Sequence, residues 1–482
     1  MSEEPSNGKR VPPTSAPAPG FSWGPFTARI PFLHTRAEWP EMVQNLVVAG
    51  ATGLAVVPIF TEHFGMTFEL AVSLCMAQAV ILCSAFFLFG DPFCPGWVTP
   101  ALPLVLAAAM KVEELPERIA FVTAVVITTG AIFFVLGITR LGALFIRWVP
   151  LPLKSGIIFG AGLSAIMGEF SSKGEAVPRA FEYPICITLA TGVTLLLLFS
   201  QPLEKLKDRF GWLAVLSGLG MAPGFILAMI VGPWVSEVSY DQFKDLFFDP
   251  VSGEFVFTIR DLFFIPDVAG LAAGYSPFSP GSGIVENLNF GVFLTALPLA
   301  LAAYVIAFGD IVTGTAILKS AQADRPDEEI ELDEHRTHLS LGIRNLAQAA
   351  LCGPFFPLQG PLWTGAMVVV TERYRRGRDA MRSIFDGIFS YYMFGVPLLL
   401  FFNPLILLYQ PVLGVALSLT LLLTGFACSY VALAIPRNRV EVGLTVLTGA
   451  VIATQSTELG LIVGLIGSVL LLGKEAWREE TD

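Results

Sequence analysis

The chain has 482 residues, 54% of them hydrophobic and only 14% charged, with a net charge of −11 and a mean hydropathy of +0.68. A soluble chain of this length divides into two or three domains, each with a charged shell, and soluble domains carry about 25% charged residues. The charge for such shells is missing here, and the acidic balance, concentrated at 324–334 (DRPDEEIELDE) and near 236–261, excludes a nucleic-acid binder.

Residues 1–20 (MSEEPSNGKRVPPTSAPAPG) are polar and proline-rich, which predicts a disordered tail without a cleavable leader. Residues 21–40 mix aromatic and basic residues and suit a segment lying on a membrane interface. Apolar runs of about 20 residues, enough to cross a bilayer, then recur along the chain. They predict spans at 41–61, 66–90, 117–138, 150–169, 182–200 and 212–236, with a short amphipathic piece at 141–149. A proline- and glycine-broken segment at 91–112 stands third in this series. A long polar loop follows at 237–288, where the alternating GEFVFTI after DPVSG predicts a small hairpin. Spans resume at 289–319 and 337–353, a second broken segment covers 354–371, and further spans lie at 384–402, 405–433, 440–454 and 457–473. The closing KEAWREETD leaves no room for a soluble domain. The expected fold class is an all-α polytopic membrane protein with about 14 transmembrane segments. Lysine and arginine crowd alternate loops, RYRRGR being the densest run, and this asymmetry predicts both termini on the cytoplasmic side.

The two broken segments carry the chemistry. They read GDPFCPGWVTPALPL at 90–104 and GPFFPLQGPLWTGAM at 353–367, in matching places of two halves. Proline and glycine at this density interrupt a helix, and backbone exposed in hydrocarbon survives only when buried in protein or lining a cavity. A matched pair of broken segments points to a transporter site near the bilayer midplane. Each half-helix would direct free N–H groups and a positive dipole end at one cavity that favours an anion or a hydrogen-bond acceptor. Trp97, Val98 and Thr99, with Pro100 in the first turn, would open one half-helix; Gln359, Gly360, Pro361, Trp363 and Thr364 would open the other. No lysine or arginine is expected inside the membrane beside them.

Asp310 lies inside an apolar run with Thr313 and Thr315 close behind, a set of hard oxygens suited to Na+ or to carrying a proton. Gln44 and Asn45 fall early in the first span and either face the site or join two helices. Asn345 reads as helix-to-helix glue, and Glu441 and Glu458 as surface residues at span edges. Cys75, Cys83, Cys94, Cys186, Cys352 and Cys428 are scattered without CxxC spacing and read as small apolar residues. The four dispersed histidines build no metal cluster, and no His, Asp or Cys group at an interface suggests an enzyme. A repeated pore-lining ring, as a channel requires, is not visible.

Three stretches, QNLVVAGATGLAVVPIF, RLGALFIRWVPLPLKSGIIFGAGLSAI and HLSLGIRNLAQAALCGPFFPLQG, together with the closing STELGLIVGLIGSVLL, resemble in this order the superfamily of nucleobase–ascorbate transporters, sulfate permeases and bicarbonate exchangers. The resemblance covers most of residues 41–473. It implies two inverted seven-helix repeats divided between a core and a gate domain. On that scheme 1–40 is a cytoplasmic tail and interfacial segment, 41–138 and 289–402 form the core, 139–236 and 403–473 form the gate, 237–288 is an extracytoplasmic loop, and 474–482 is a tail. It also implies substrate bound between the third and tenth helices, at Trp97–Thr99 and Gln359–Thr364, with Asp310 as the carboxylate for substrate or cation. A homodimer in the bacterial inner membrane is implied as well. The chain departs from nucleobase members at Gln359–Gly360–Pro361, where they carry an acidic or Gln-Asn pair, and at Asn45, where many carry histidine. It departs from sulfate permeases in lacking their C-terminal regulatory domain. The function expected is secondary transport of a small anion (bicarbonate, another oxyanion or a small carboxylate), coupled to Na+ or H+, by elevator-like motion of core against gate. Nucleobase–cation symport is the alternative, since Trp97 and Trp363 could stack on a flat ring. The lipid bilayer and a small solute are the expected partners, with no cofactor besides Na+ as a coupling ion.

Overall fold

A computed structural model describes residues 16–43, 45, 53–171, 177–207, 209–280, 282–353, 357–393 and 401–477. Apolar runs can satisfy every backbone group inside a bilayer only as helices. Six helices among the described residues are long and apolar enough to cross a membrane: Phe68–Phe87, Leu115–Thr139, Leu151–Phe170, Phe290–Ala323, Asn403–Ala434 and Thr457–Trp477. Pro184–Phe199 and Gln201–Lys207 make a seventh if taken as one span bent by 64°. The chain is a multi-pass helical membrane protein. Of the other predicted spans, 337–353 is a helix of 19 residues (Glu334–Cys352) too polar to count, and the rest are shorter helices or run into 44, 46–52 and 394–400, which lie outside the described residues.

In chain order the strands are β1 (Ala16–Pro17), β2 (Phe21–Trp23), β3 (Phe26–Ala28), β4 (Gly96–Trp97), β5 (Glu328–Glu329) and β6 (Gln359–Gly360). The helices that organise the fold are α1 (Val57–His63), α2 (Phe68–Phe87), α3 (Ala101–Ala109), α4 (Leu115–Thr139), α5 (Gly142–Trp148), α6 (Leu151–Phe170), α7 (Pro184–Phe199) and α8 (Ala222–Val231). They continue with α9 (Phe290–Ala323), α10 (Glu334–Cys352), α11 (Thr364–Tyr374), α12 (Ile384–Met393), α13 (Leu413–Ala434), α14 (Arg439–Thr454) and α15 (Thr457–Leu472). At 1.5 Å per residue α9 is roughly 50 Å long, well beyond a hydrocarbon core of about 30 Å, so part of it stands outside the lipid.

Packing sorts these helices into two groups. In one, α4 lies against α9 and α10, α2 against α10 and α12, and α11 against α9 and α12. In the other, α6 lies against α13, α14 and α15, and α7 against α8 and α13. We call the first group core and the second gate. They meet where α3 and α9 rest on α6 and where α9 touches α15. Each group draws helices from both halves of the chain, so neither can form until the halves have come together.

Two expectations change. The tail expected at 1–20 is held at its described end by β1, and the segment expected at an interface after it folds onto the protein. β1 pairs in parallel with β5, and β2 and β3 form an antiparallel hairpin. Trp23 Nε1 donates to the Leu88 carbonyl at 2.8 Å, and the Arg29 guanidinium lies 3.7 Å over the Phe385 ring. Composition did not reveal this because the segment has no apolar period of its own and borrows its partners from distant parts of the chain. Glu441 is not a surface residue either. It is 2% exposed and accepts hydrogen bonds from the Arg437 amide (2.7 Å) and Asn438 Nδ2 (3.0 Å), closing the start of α14. Glu458 is half-buried in the first turn of α15. The hairpin expected in the polar loop is present. Phe248 and Phe255 form an antiparallel bridge, and the Val256 amide donates to the Phe247 carbonyl at 2.9 Å.

Candidate substrate-binding site

The two broken segments meet. β4 and β6 are hydrogen-bonded to each other, antiparallel, with Gly96 opposite Gly360 and Trp97 opposite Gln359. The Val98 amide extends the pairing to the Leu358 carbonyl at 2.9 Å, and the Trp363 amide donates to the Cys94 carbonyl at 2.7 Å. A two-stranded sheet this short would not hold in water; here it is clamped inside the core group. Gly353, with φ 64°, turns the chain out of α10 toward the second break; residues 354–356 lie outside the described residues. Gly96 allows the two backbones to touch. A Cβ on it would sit 2.6 Å from the Leu362 carbonyl oxygen and 2.8 Å from the Trp363 nitrogen.

A half-helix leaves each strand. Pro100 precedes the first residue of α3 and Trp363 the first residue of α11, and neither end has a side-chain cap. Both positive dipole ends therefore start beside the β4–β6 sheet. Thr364 and Gly365, at the start of α11, are exposed, Thr99 and Pro100 are half-buried, and Val98 is buried. The Thr99 hydroxyl donates to the Trp97 carbonyl at 3.4 Å.

Aromatic groups border this junction. The Trp97 indole Nε1 is buried and has no acceptor among the described residues. The Trp363 ring stands edge-on to Tyr391, centroids 5.8 Å apart at 80°. Asn45 Nδ2 donates to the Tyr391 carbonyl, while its Oδ1 has no partner among the described residues. Asn45 thus joins the first span to α12 directly behind the site. Gln44 lies outside the described residues. Tyr391 and Tyr392 escaped the sequence reading; the paired tyrosines in FSYYM were the signal. The Tyr392 hydroxyl donates to the Pro95 carbonyl at 2.5 Å and holds the first break in place.

Gln359 faces inward. Its amide donates to Asn345 Oδ1 (3.0 Å), its carbonyl accepts from Asn345 Nδ2 (3.1 Å), its Nε2 donates to Gln348 Oε1 (2.8 Å), and its Oε1 accepts from Arg344 (3.2 Å). With every polar atom engaged by the protein, Gln359 sets the register of β6. Asn345 is the glue that its place in the sequence suggested, bonding to a broken segment. Arg344 corrects the expectation of a site without a nearby cation. It lies on α10, is 1% exposed, and donates from Nη2 to the Gly360 carbonyl at 2.7 Å. The polar run of α10 hid it, since an arginine there looks like one more charge on a wet helix.

Asp310, Thr313 and Thr315 share α9 without converging. At 100° per residue Thr313 stands about 60° and Thr315 about 140° around the helix from Asp310. Thr313 is exposed and spends its hydroxyl on the Gly309 carbonyl at 2.9 Å. These three residues do not converge on one point as a cage for Na+ requires. Asp310 is half-buried on the core helix that faces the gate. Among the described residues no group of three or more His, Cys, Asp or Glu could hold a metal ion.

No protein-family model and no curated protein matches the chain. Solved structures do. The transmembrane domain of a cyanobacterium bicarbonate transporter, BicA, is 16% identical over 90% of this chain and 99% of that one, with a TM-score of 0.45. Murine Slc26a9, described as an anion transporter in the inward-facing state, is 12% identical over 90% of this chain and 68% of that one, with a TM-score of 0.50. A further SLC26A9 structure is 14% identical over 90% and 65%, with a TM-score of 0.51. At these identities the likeness to SLC26A9 is one of fold, and the fold resemblance expected from the sequence is found there.

Proposed function

We propose that this chain, with the fold of the matched part of SLC26A9, is a secondary active transporter of a small anion such as bicarbonate, another oxyanion or a small carboxylate. The observation that carries this reading is the β4–β6 junction, where two uncapped half-helices begin side by side. Their dipole ends favour negative charge, and the exposed Thr364 and the orphan Trp97 indole add donors without adding an acidic group. Murine Slc26a9, whose fold the chain resembles, is described as an anion transporter, which agrees with the reading. Transport proceeds by the core sliding on the gate, in a bacterial inner membrane with both termini cytoplasmic, as a homodimer. Asp310 serves as the coupling group. A single carboxylate without converging hydroxyls suits a proton better than Na+.

The second reading, nucleobase transport, draws on the Trp97, Trp363 and Tyr391 rings, which could flank a planar solute. Uptake by the purified chain in proteoliposomes, assayed with labelled bicarbonate, chloride, acetate and uracil under imposed Na+ or pH gradients, separates the two. We expect saturable anion uptake that a proton gradient stimulates, and we expect Asp310→Asn to keep uptake but lose the stimulation. Saturable uracil uptake with no anion uptake would replace the first reading by the second. Non-saturating flux would mean a channel, and unchanged coupling in the Asp310 variant would remove that residue from the scheme.

A further inference from the structure

A permanent charge buried in a membrane domain is costly unless a counter-charge meets it. Arg344 is such a charge, since a guanidinium does not shed its proton when buried as a lysine can. Its neighbours on β6 and α10 are neutral: Nη2 donates to Gln359 Oε1 and to the Gly360 carbonyl, and Nε has no acceptor. Among the described residues no carboxylate lies within ion-pair distance of it. The carboxylate whose field reaches it is Asp91, and that group is engaged elsewhere, accepting from the Thr337 hydroxyl at 3.0 Å and standing 3.8 Å from Arg336. Arg344 therefore holds a positive charge that Asp91 offsets only from a distance and that no carboxylate among the described residues meets at contact, directly under the strand that forms one side of the site.

We infer that Arg344 is the selectivity residue of the site, the fixed cation whose counter-charge is the transported anion. It contacts β6 and acts on the ligand through its field and by holding the Gly360 carbonyl. This rests on the anion reading above and adds to it the residue that discriminates charged from neutral solutes. An uncharged solute of the same size would leave the guanidinium unanswered and so would bind poorly.

Two substitutions test this in proteoliposomes, with labelled bicarbonate and chloride as charged probes and uracil as the neutral one. Arg344→Gln removes the charge. Gln359→Glu keeps the shape of the side chain and places a carboxylate where Oε1 already meets Arg344, so it folds with an internal ion pair and neutralises the charge in place. We expect each to raise the anion KM tenfold or more, and Arg344→Lys to restore it to within a few-fold of the parent. Thermal unfolding in detergent shows which variants are folded, and Gln359→Glu carries the test if Arg344→Gln is not. A parental anion KM in folded Gln359→Glu or Arg344→Gln overturns the inference while leaving anion transport standing. A parent chain that takes up uracil and neither anion overturns the anion reading itself.

Discussion

Gly96 has room for a hydrogen and nothing more. Because a Cβ there would press on backbone atoms of the opposite break, no rotamer change can relieve the contact, and the two segments must separate. Gly96→Ala is expected to lower stability by about 1–3 kcal/mol, the usual range for overpacking, and to abolish transport even where the protein still folds; thermal unfolding together with uptake checks both. A variant with parental unfolding temperature and uptake would show that the junction can open freely. Single residues were unevenly legible. Trp97, Trp363 and Thr364 stood out because they flank proline and glycine in a region where helices should be continuous. Asp310 stood out as one carboxylate in an apolar run. Arg344 and Tyr391 did not, the first masked by the polarity of α10 and the second by the aromatic richness of α12. Gln359 looked like a ligand because residue type and position cannot tell which way a side chain points.

At the scale of elements, the half-helices α3 and α11 follow from local chemistry, since proline and glycine end one run and a new run begins. The polar loop shows a different balance. Its hairpin and the short turn after it are held by two aspartates, Asp249 accepting from the Ser252 and Val251 amides and Asp261 from the Thr258 side chain and amide. These bonds hold both carboxyls below the ordinary aspartate range. A folded-state value below the unfolded one means that the contribution is fully present above the ordinary aspartate value and is lost as pH falls through the lower folded value. Protection of the 247–262 amides in hydrogen exchange, corrected for intrinsic rates, should therefore be flat from about pH 7 to 5 and should fall only below about pH 4. Asp249→Asn with Asp261→Asn should reduce protection already at neutral pH. Loss of protection in the parent between pH 7 and 5 would point to another titrating group.

For the whole molecule, polar contacts tie the gate group to α1, which packs on both α2 and α13, and to the end of α3. Arg179 bonds the buried Glu169 on the gate side at 2.7 Å and lies 3.5 Å from Glu62 at the end of α1. Lys111 donates to the Gln455 carbonyl at 2.8 Å. The polar loop adds a strap, for the Asp267 amide donates to Ser73 Oγ on α2 while the Asp261 carbonyl accepts from Asn403 Nδ2. The proposed movement of core against gate would strain these links. Glu62 is 48% exposed at its side chain, so Glu62→Gln should fold normally and weaken the tie by no more than about 1 kcal/mol. That corresponds to up to roughly a fivefold change in an opening equilibrium. The measurement is the labelling rate of Thr364→Cys by a membrane-impermeant maleimide added on the side of the polar loop, expected to rise about two- to fivefold in Glu62→Gln. An unchanged rate would mean that Arg179–Glu62 does not restrain the motion.

By itself the sequence determined the class of molecule and the location of its weak points. Apolar runs of bilayer length allow only helices, because lipid offers no partner to an unpaired backbone group, and proline with glycine marks where two of them must stop. Both statements rest on local chemistry, and local chemistry can be read from neighbours in the chain. The tertiary structure alone decided that the two stops pair as β4 and β6, that Gln359 turns inward while the Trp97 indole has no acceptor among the described residues, that Arg344 lies under the junction with no described carboxylate at contact, and that the N-terminal segment docks on distant parts of the chain. Each of these depends on groups far apart in sequence, whose meeting is set by how two bundles pack rather than by the preference of any one segment.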